Sequence, residues 1–89
     1  MITLNMTEEK LKEIIDALSE LGNDSAVPKN VKNKVNQMIN ILEDDSELSI
    51  RVNKVLNELD EIADDTNMQA YTRIQILNIV SLLETIQTS

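Results

Sequence analysis

An all-α, up-and-down four-helix bundle made of two related helical hairpins is the fold that this sequence predicts, on three observations. Residues 14–42 align with residues 55–83 without a gap, placing Leu18 on Leu59, Glu20 on Glu61, Asp24 on Asp65 and Lys32 on Arg73. The apolar run Val35, Met38, Ile39, Leu42 returns as Ile76, Ile79, Val80, Leu83, so the duplicated unit is a structural one. No stretch alternates with the period of two that a half-buried strand needs.

The first helix is expected to start at Thr7, a capping hydroxyl followed by Glu8 and Glu9 where the helix dipole favours anions. Leu11, Ile14, Ile15, Leu18 and Leu21 share one face, and Gly22-Asn23 reads as a stop. Pro28 opens the second helix at its first-turn position, where a missing N–H costs nothing. Val31, Val35, Met38, Ile39 and Leu42 form its stripe. Asp45 or Ser46 is the expected cap of a third helix carrying Leu48, Val52, Val55, Leu56, Leu59 and Ile62. A second turn over 64–68 leads into a fourth helix from about Gln69 to Gln87.

Short connections make successive helices antiparallel neighbours. One domain over 1–89 follows: an N-terminal segment 1–6, hairpin one over 7–45 and hairpin two over 46–89. Hairpins stacked side by side as in helical-repeat proteins rank second, because two repeats would leave open ends.

Composition removes much chemistry. The 89 residues contain no Cys, His, Trp or Phe. No disulfide or thiolate metal site can form, and the commonest general base is missing. The chain is therefore expected not to be an enzyme, and no cofactor is expected. A net charge of −8 repels polyphosphate, so nucleic acid is not the expected partner. No run approaches the ~20 apolar residues of a membrane span. The start of the chain does not read as a signal peptide, and a cytoplasmic location is expected.

The two corners are the most patterned feature. Asp24…Val27-Pro28…Lys32 parallels Asp65…Met68-Gln69…Arg73, an acid and a base eight residues apart across a turn into a helix. Each Asp can accept turn amides, each base can pair with its acid, and Val27 and Met68 can staple the turn to the core. Lys29, Lys32 and Lys34 gather at the start of the second helix, where cations oppose the dipole. Either the acidic end of the first helix (Glu20, Asp24) compensates them, or they form a small patch for an acidic partner.

The pairs Asp44-Asp45 and Asp64-Asp65 lack the Gly-centred spacing of a calcium loop, so no metal site is expected. Tyr71, the sole aromatic, is expected to be partly buried with its hydroxyl at the surface. The fourth helix is unusual. Ile74, Ile76, Leu77, Ile79, Val80, Leu82, Leu83 and Ile86 spread over roughly 200°, wider than a core-facing stripe. Either it is a central helix, its remainder covered by Ile2, Leu4 and Met6, or Ile74, Leu82 and Ile86 belong to a partner or self-association face.

At its corners the chain resembles a small archaeal family of unknown function, similar over nearly the full length. The family's corners read Asp-x-x-Val-Pro-x-x-x-Arg and Asp-x-x-Met-Pro-x-x-x-Arg. Here Lys32 stands for the first Arg and Gln69 for the second Pro. The resemblance implies an all-α four-helix fold and brings no catalytic residue, cofactor or partner.

The leading functional expectation is a non-enzymatic module that binds an unknown protein partner or itself as a homo-oligomer. The second is a nucleic-acid accessory protein using Lys29, Lys32, Lys34 and Arg73. The third is a carboxylate hydrolase, which needs two acids fixed in a cleft.

Overall fold

Four aliphatic stripes become four helices in the computed structural model, which describes residues 6–64 and 68–87. They are α1 (Met6–Asn23), α2 (Lys29–Leu42), α3 (Leu48–Ala63) and α4 (Ala70–Gln87). No strand occurs among the described residues. Each helix packs on the next, and α1 also packs on α4, while the diagonal pairs do not meet. This closed ring is the up-and-down bundle. A side-by-side stack of hairpins would pair α1 with α3 and α2 with α4 instead.

The core repeats with the sequence. Ile14, Leu18 and Leu21 of α1 are buried, and so are their counterparts Val55, Leu59 and Ile62 of α3. Val35, Met38 and Leu42 of α2 match buried Ile76, Ile79 and Leu83 of α4. Val27 and Met68 are buried at the two corners, as expected of residues that pin a turn. Fully burying one such aliphatic side chain contributes about 1.5–3 kcal/mol. Thr72, the twin of Val31, is the one buried polar side chain among the described residues.

The helix ends depart from expectation. Helix α1 begins at Met6, so Thr7 lies inside it rather than capping it. Pro28 is the residue before the first helical one, with extended backbone (φ −59°, ψ 151°). Its carbonyl accepts from the amides of Val31 (3.1 Å) and Lys32 (3.0 Å). Neither Asp45 nor Ser46 caps α3. Glu47 holds that place without a side-chain bond, and the Glu47 carbonyl accepts from Ile50 and Arg51, both at 3.1 Å. The Asp44 carboxylate instead accepts from the Ser46 amide (3.3 Å) and hydroxyl. That hydroxyl, more than the neighbouring amides, holds the Asp44 pKa below its ordinary value. Arg51 closes the same end of the bundle, its Nη1 donating to the Leu42 carbonyl at 2.7 Å.

Helix α1 ends at Asn23, at the Gly22-Asn23 stop expected from sequence, with Gly22 itself still helical. A Cβ at Gly22 would stand 3.2 Å from Val35 Cγ1, so glycine lets α1 approach α2 closely. Its twin in the second hairpin is Ala63.

Leu18→Ala and Leu59→Ala should each destabilise by about 2–5 kcal/mol, and by similar amounts because the sites are twins. Gly22→Val should cost about 1–3 kcal/mol through overpacking against Val35. Urea denaturation measures all three. A cost below 1 kcal/mol at Leu18 but not at Leu59 would contradict the equivalence of the hairpins.

Candidate functional site

The first corner is held by its own backbone. The Asp24 carboxylate accepts the Ala26 amide at 2.9 Å, and the Asp24 carbonyl accepts the Val27 amide at 3.1 Å. Among the described residues no ion pair joins Asp24 to Lys32. The short Asx turn already satisfies the carboxylate, which leaves the lysine to other surroundings. The corresponding Asp65 lies outside the described residues, as do Ile2 and Leu4. The Gln69 carbonyl accepts the Arg73 amide at 3.1 Å, as Pro28 does for Lys32.

The lysine cluster is divided. Lys34 crosses from α2 to α3, its Nζ 3.2 Å from Glu58 Oε1 and 3.3 Å from Glu61 Oε1. The hydrogen bond to Glu58 is the chief cause that raises its pKa, followed by that to Glu61. Lys29 and Lys32 instead line a groove of about 360 Å³ between α1 and α2, with Ser19, Asn23, Asn33 and Asn36. Glu20 does not compensate them, because it lines the opposite groove, between α1 and α4. Arg73 is the twin of Lys32 and sits on α4, outside the wall of the lysine groove. The basic set proposed for nucleic acid is thus spread over separate parts of the surface.

Helix α4 divides its apolar arc between core and solvent. Ile76, Ile79, Leu83 and Ile86 are buried, so Ile86 belongs to the core and not to a partner face. Leu82 is half-buried. Ile74 is 55% exposed, Leu77 54% and Tyr71 64%, the last far more open than a partly buried ring. Asn78, Ser81 and Thr85 extend this outer face, and Glu84, exposed two turns beyond Leu77, brings a single acid to its end.

The duplication supplies an internal standard for this face. The exposed twins of Tyr71, Ile74 and Leu77 on α2 are Asn30, Asn33 and Asn36. Burial along the two helices is otherwise nearly the same position by position. The bundle therefore accepts amides at these places, and folding alone does not call for aliphatic side chains there.

A second difference lies at the seams. On the α2/α3 seam, Lys34 spans to Glu58 and Glu61. On the equivalent α4/α1 seam the matching residues are Gln75, Ala17 and Glu20. The cation has become a neutral amide, one acid has become a methyl group, and the other acid is kept. An open groove of about 290 Å³ results, lined by Ala17, Glu20, Tyr71, Ile74, Gln75 and Leu82 among others. Gln75 Oε1 is buried there without a hydrogen-bond donor. Ala17 and Gln75 were not singled out from sequence, and Glu20 was read only as a counterion for the lysine cluster, although the gapless alignment already contained the signal in the pairs Lys34/Gln75 and Glu58/Ala17.

Among the described residues no group of three or more acids converges on a point that could hold a metal ion. None of the described helices is long and apolar enough to cross a membrane.

Comparison with known proteins follows the same lines. The model of an uncharacterised protein family, UPF0147, matches residues 1–86. A UPF0147 protein of Metallosphaera sedula is 41% identical over 88 residues, covering 98% of this chain and 99% of its own. One of Methanosarcina mazei is 35% identical over 83 residues, covering 92% and 89%. The crystal structure of a UPF0147 protein from Thermoplasma acidophilum matches with a TM-score of 0.86 and 34% identity, covering 89% of this chain and 94% of that one. A second crystal structure, of a protein of unknown function, matches with a TM-score of 0.83 and 39% identity over 88% and 90% of the two chains.

Lys34→Gln should lower the melting temperature in low salt, and the difference should shrink in molar salt, where an exposed ion pair is screened. Folding raises the Lys34 pKa, so its contribution is complete below the ordinary lysine value of 10.5 and is lost as pH climbs through the raised value. Thermal melts of both proteins at neutral and strongly alkaline pH check this. A gap that widens at alkaline pH would contradict it.

Proposed function

We propose that this chain, which belongs to the uncharacterised protein family UPF0147, is a non-enzymatic cytoplasmic module that recognises another protein through the outer face of α4. The family brings no assigned role. The observation that carries the reading is the replacement of Asn30, Asn33 and Asn36 by Tyr71, Ile74 and Leu77 at equivalent exposed sites. Apolar area left in water, on a face whose one acid, Glu84, lies toward the end of the helix, has the composition of an interface centre. A chain without His or Cys supports a role other than catalysis, and the lack of Cys suits a reducing compartment.

The test uses the twin residues themselves. The double variant Ile74→Asn, Leu77→Asn should keep its helicity, with stability changed by no more than about 0.5 kcal/mol per site. As bait in an extract of the source organism, it should lose the proteins that the wild-type chain retains. Equal recovery by both baits would end this reading. Concentration-dependent light scattering that the variant abolishes would replace the foreign partner with a second copy.

A further inference from the structure

We propose that the open α1/α4 groove receives a basic amphipathic helix of another protein, whose Lys or Arg completes the seam that Lys34 completes between α2 and α3. This rests on the reading of α4 as the recognition face and names the chemistry of its partner. The two seams occupy equivalent positions in the duplication and share one burial pattern. One is closed from within the chain, because the Lys34 ammonium lies within 3.3 Å of both Glu58 and Glu61. The other keeps the acid Glu20, has Ala17 where Glu58 stands, and has Gln75 where the lysine stands. No ion pair reaches Glu20 among the described residues.

What the groove lacks defines what it takes. Gln75 Oε1 is a buried acceptor without a donor, and a buried acceptor of this kind calls for one. Glu20 offers a carboxylate from the α1 side of the same groove. A cationic side chain with several N–H groups can serve both, as the Lys34 ammonium serves two carboxylates at the twin seam. The small Ala17 leaves room for it, and Ile74 and Leu82 provide apolar walls for an aliphatic stripe.

The flanks agree. Glu13 lies on the same α1 stripe as Ala17 and Glu20, at helical spacing, with Lys10 as the one base of that stripe. On the α3 side, the twins of the groove-lining Ser19 and Asn23 are the acids Asp60 and Asp64, with Arg73 as the local base. An apolar strip between acidic margins matches an apolar stripe between basic margins, the helix-in-groove mode. Two copies joined α4 to α4 would set these acidic margins against each other, which disfavours self-association.

The probe is a fluorescein-labelled helical peptide of about five turns, Leu at i, i+4 and i+7 with Lys on both flanks, and a control with Glu in place of each Lys. Anisotropy in low salt should show the Lys peptide binding the full chain at least about tenfold more tightly than the Glu peptide. Transplanting the closed seam, as Ala17→Glu with Gln75→Lys, should fill the groove from within and weaken binding about tenfold or more. Glu20→Gln should weaken it several-fold, whereas Glu8→Gln, an acid in the first turn of α1, should leave it unchanged.

If the transplanted variant does not fold, Ile74→Asn with Leu77→Asn provides the corresponding loss. Binding of the Lys peptide that survives the transplant, or that falls equally with Glu8→Gln, overturns the proposal. If the Glu peptide binds as well and is lost with Ile74→Asn and Leu77→Asn, the α4 face stands and the basic partner falls. If neither α4 variant alters any binding, both fall.

Discussion

Burial of paired aliphatic side chains is what the whole molecule depends on. With no disulfide and no metal cluster among the described residues, the bundle is held by the apolar residues that each hairpin supplies to the other. Two successive hairpins cannot hide their stripes alone, since each presents a half-covered layer. Closing α1 against α4 gives every stripe two neighbours and leaves no open end. Polar bonds between helices, such as Arg51 to the Leu42 carbonyl, adjust an arrangement that hydrophobic burial has already chosen.

The same duplication separates residues required by the fold from residues free to serve something else. Where the copies agree, as at Leu18 and Leu59, packing is sufficient explanation. Where they disagree at equal exposure, packing is indifferent and another demand can act. Asn33 against Ile74 and Lys34 against Gln75 are differences of that kind. Gly22 against Ala63 is of the other kind, explained by the 3.2 Å approach of Val35 to the place a Cβ would occupy.

Four helices and most of the core were legible because periodicity encodes burial directly: Ile14, Leu18 and Leu21 are spaced for one face and occupy it. The exact helix ends were not. The choices among Thr7, Asp45, Ser46 and Glu47 turn on capping differences of about 1 kcal/mol, which the approach of neighbouring elements can overrule. Pairing of Lys34 with Glu58 and Glu61 needs the placement of α3 beside α2, which local spacing does not contain. The wide arc of α4 gives no unique inward direction, so spacing alone does not bury Ile86, and only the position of α1 and α3 resolves it.

Lys34 has one more effect, on how the halves choose each other. Hairpins with such similar inner surfaces could in principle pair like with like across two molecules, exchanging partners through the 43–47 connection. A pair of second hairpins would set Gln75 opposite Glu58 and Glu61, with no cation between them. A pair of first hairpins would give Lys34 the single acid Glu20. Only the native match of unlike halves provides that ammonium with two carboxylates, so one surface lysine acts as a registration mark that discourages swapped assemblies.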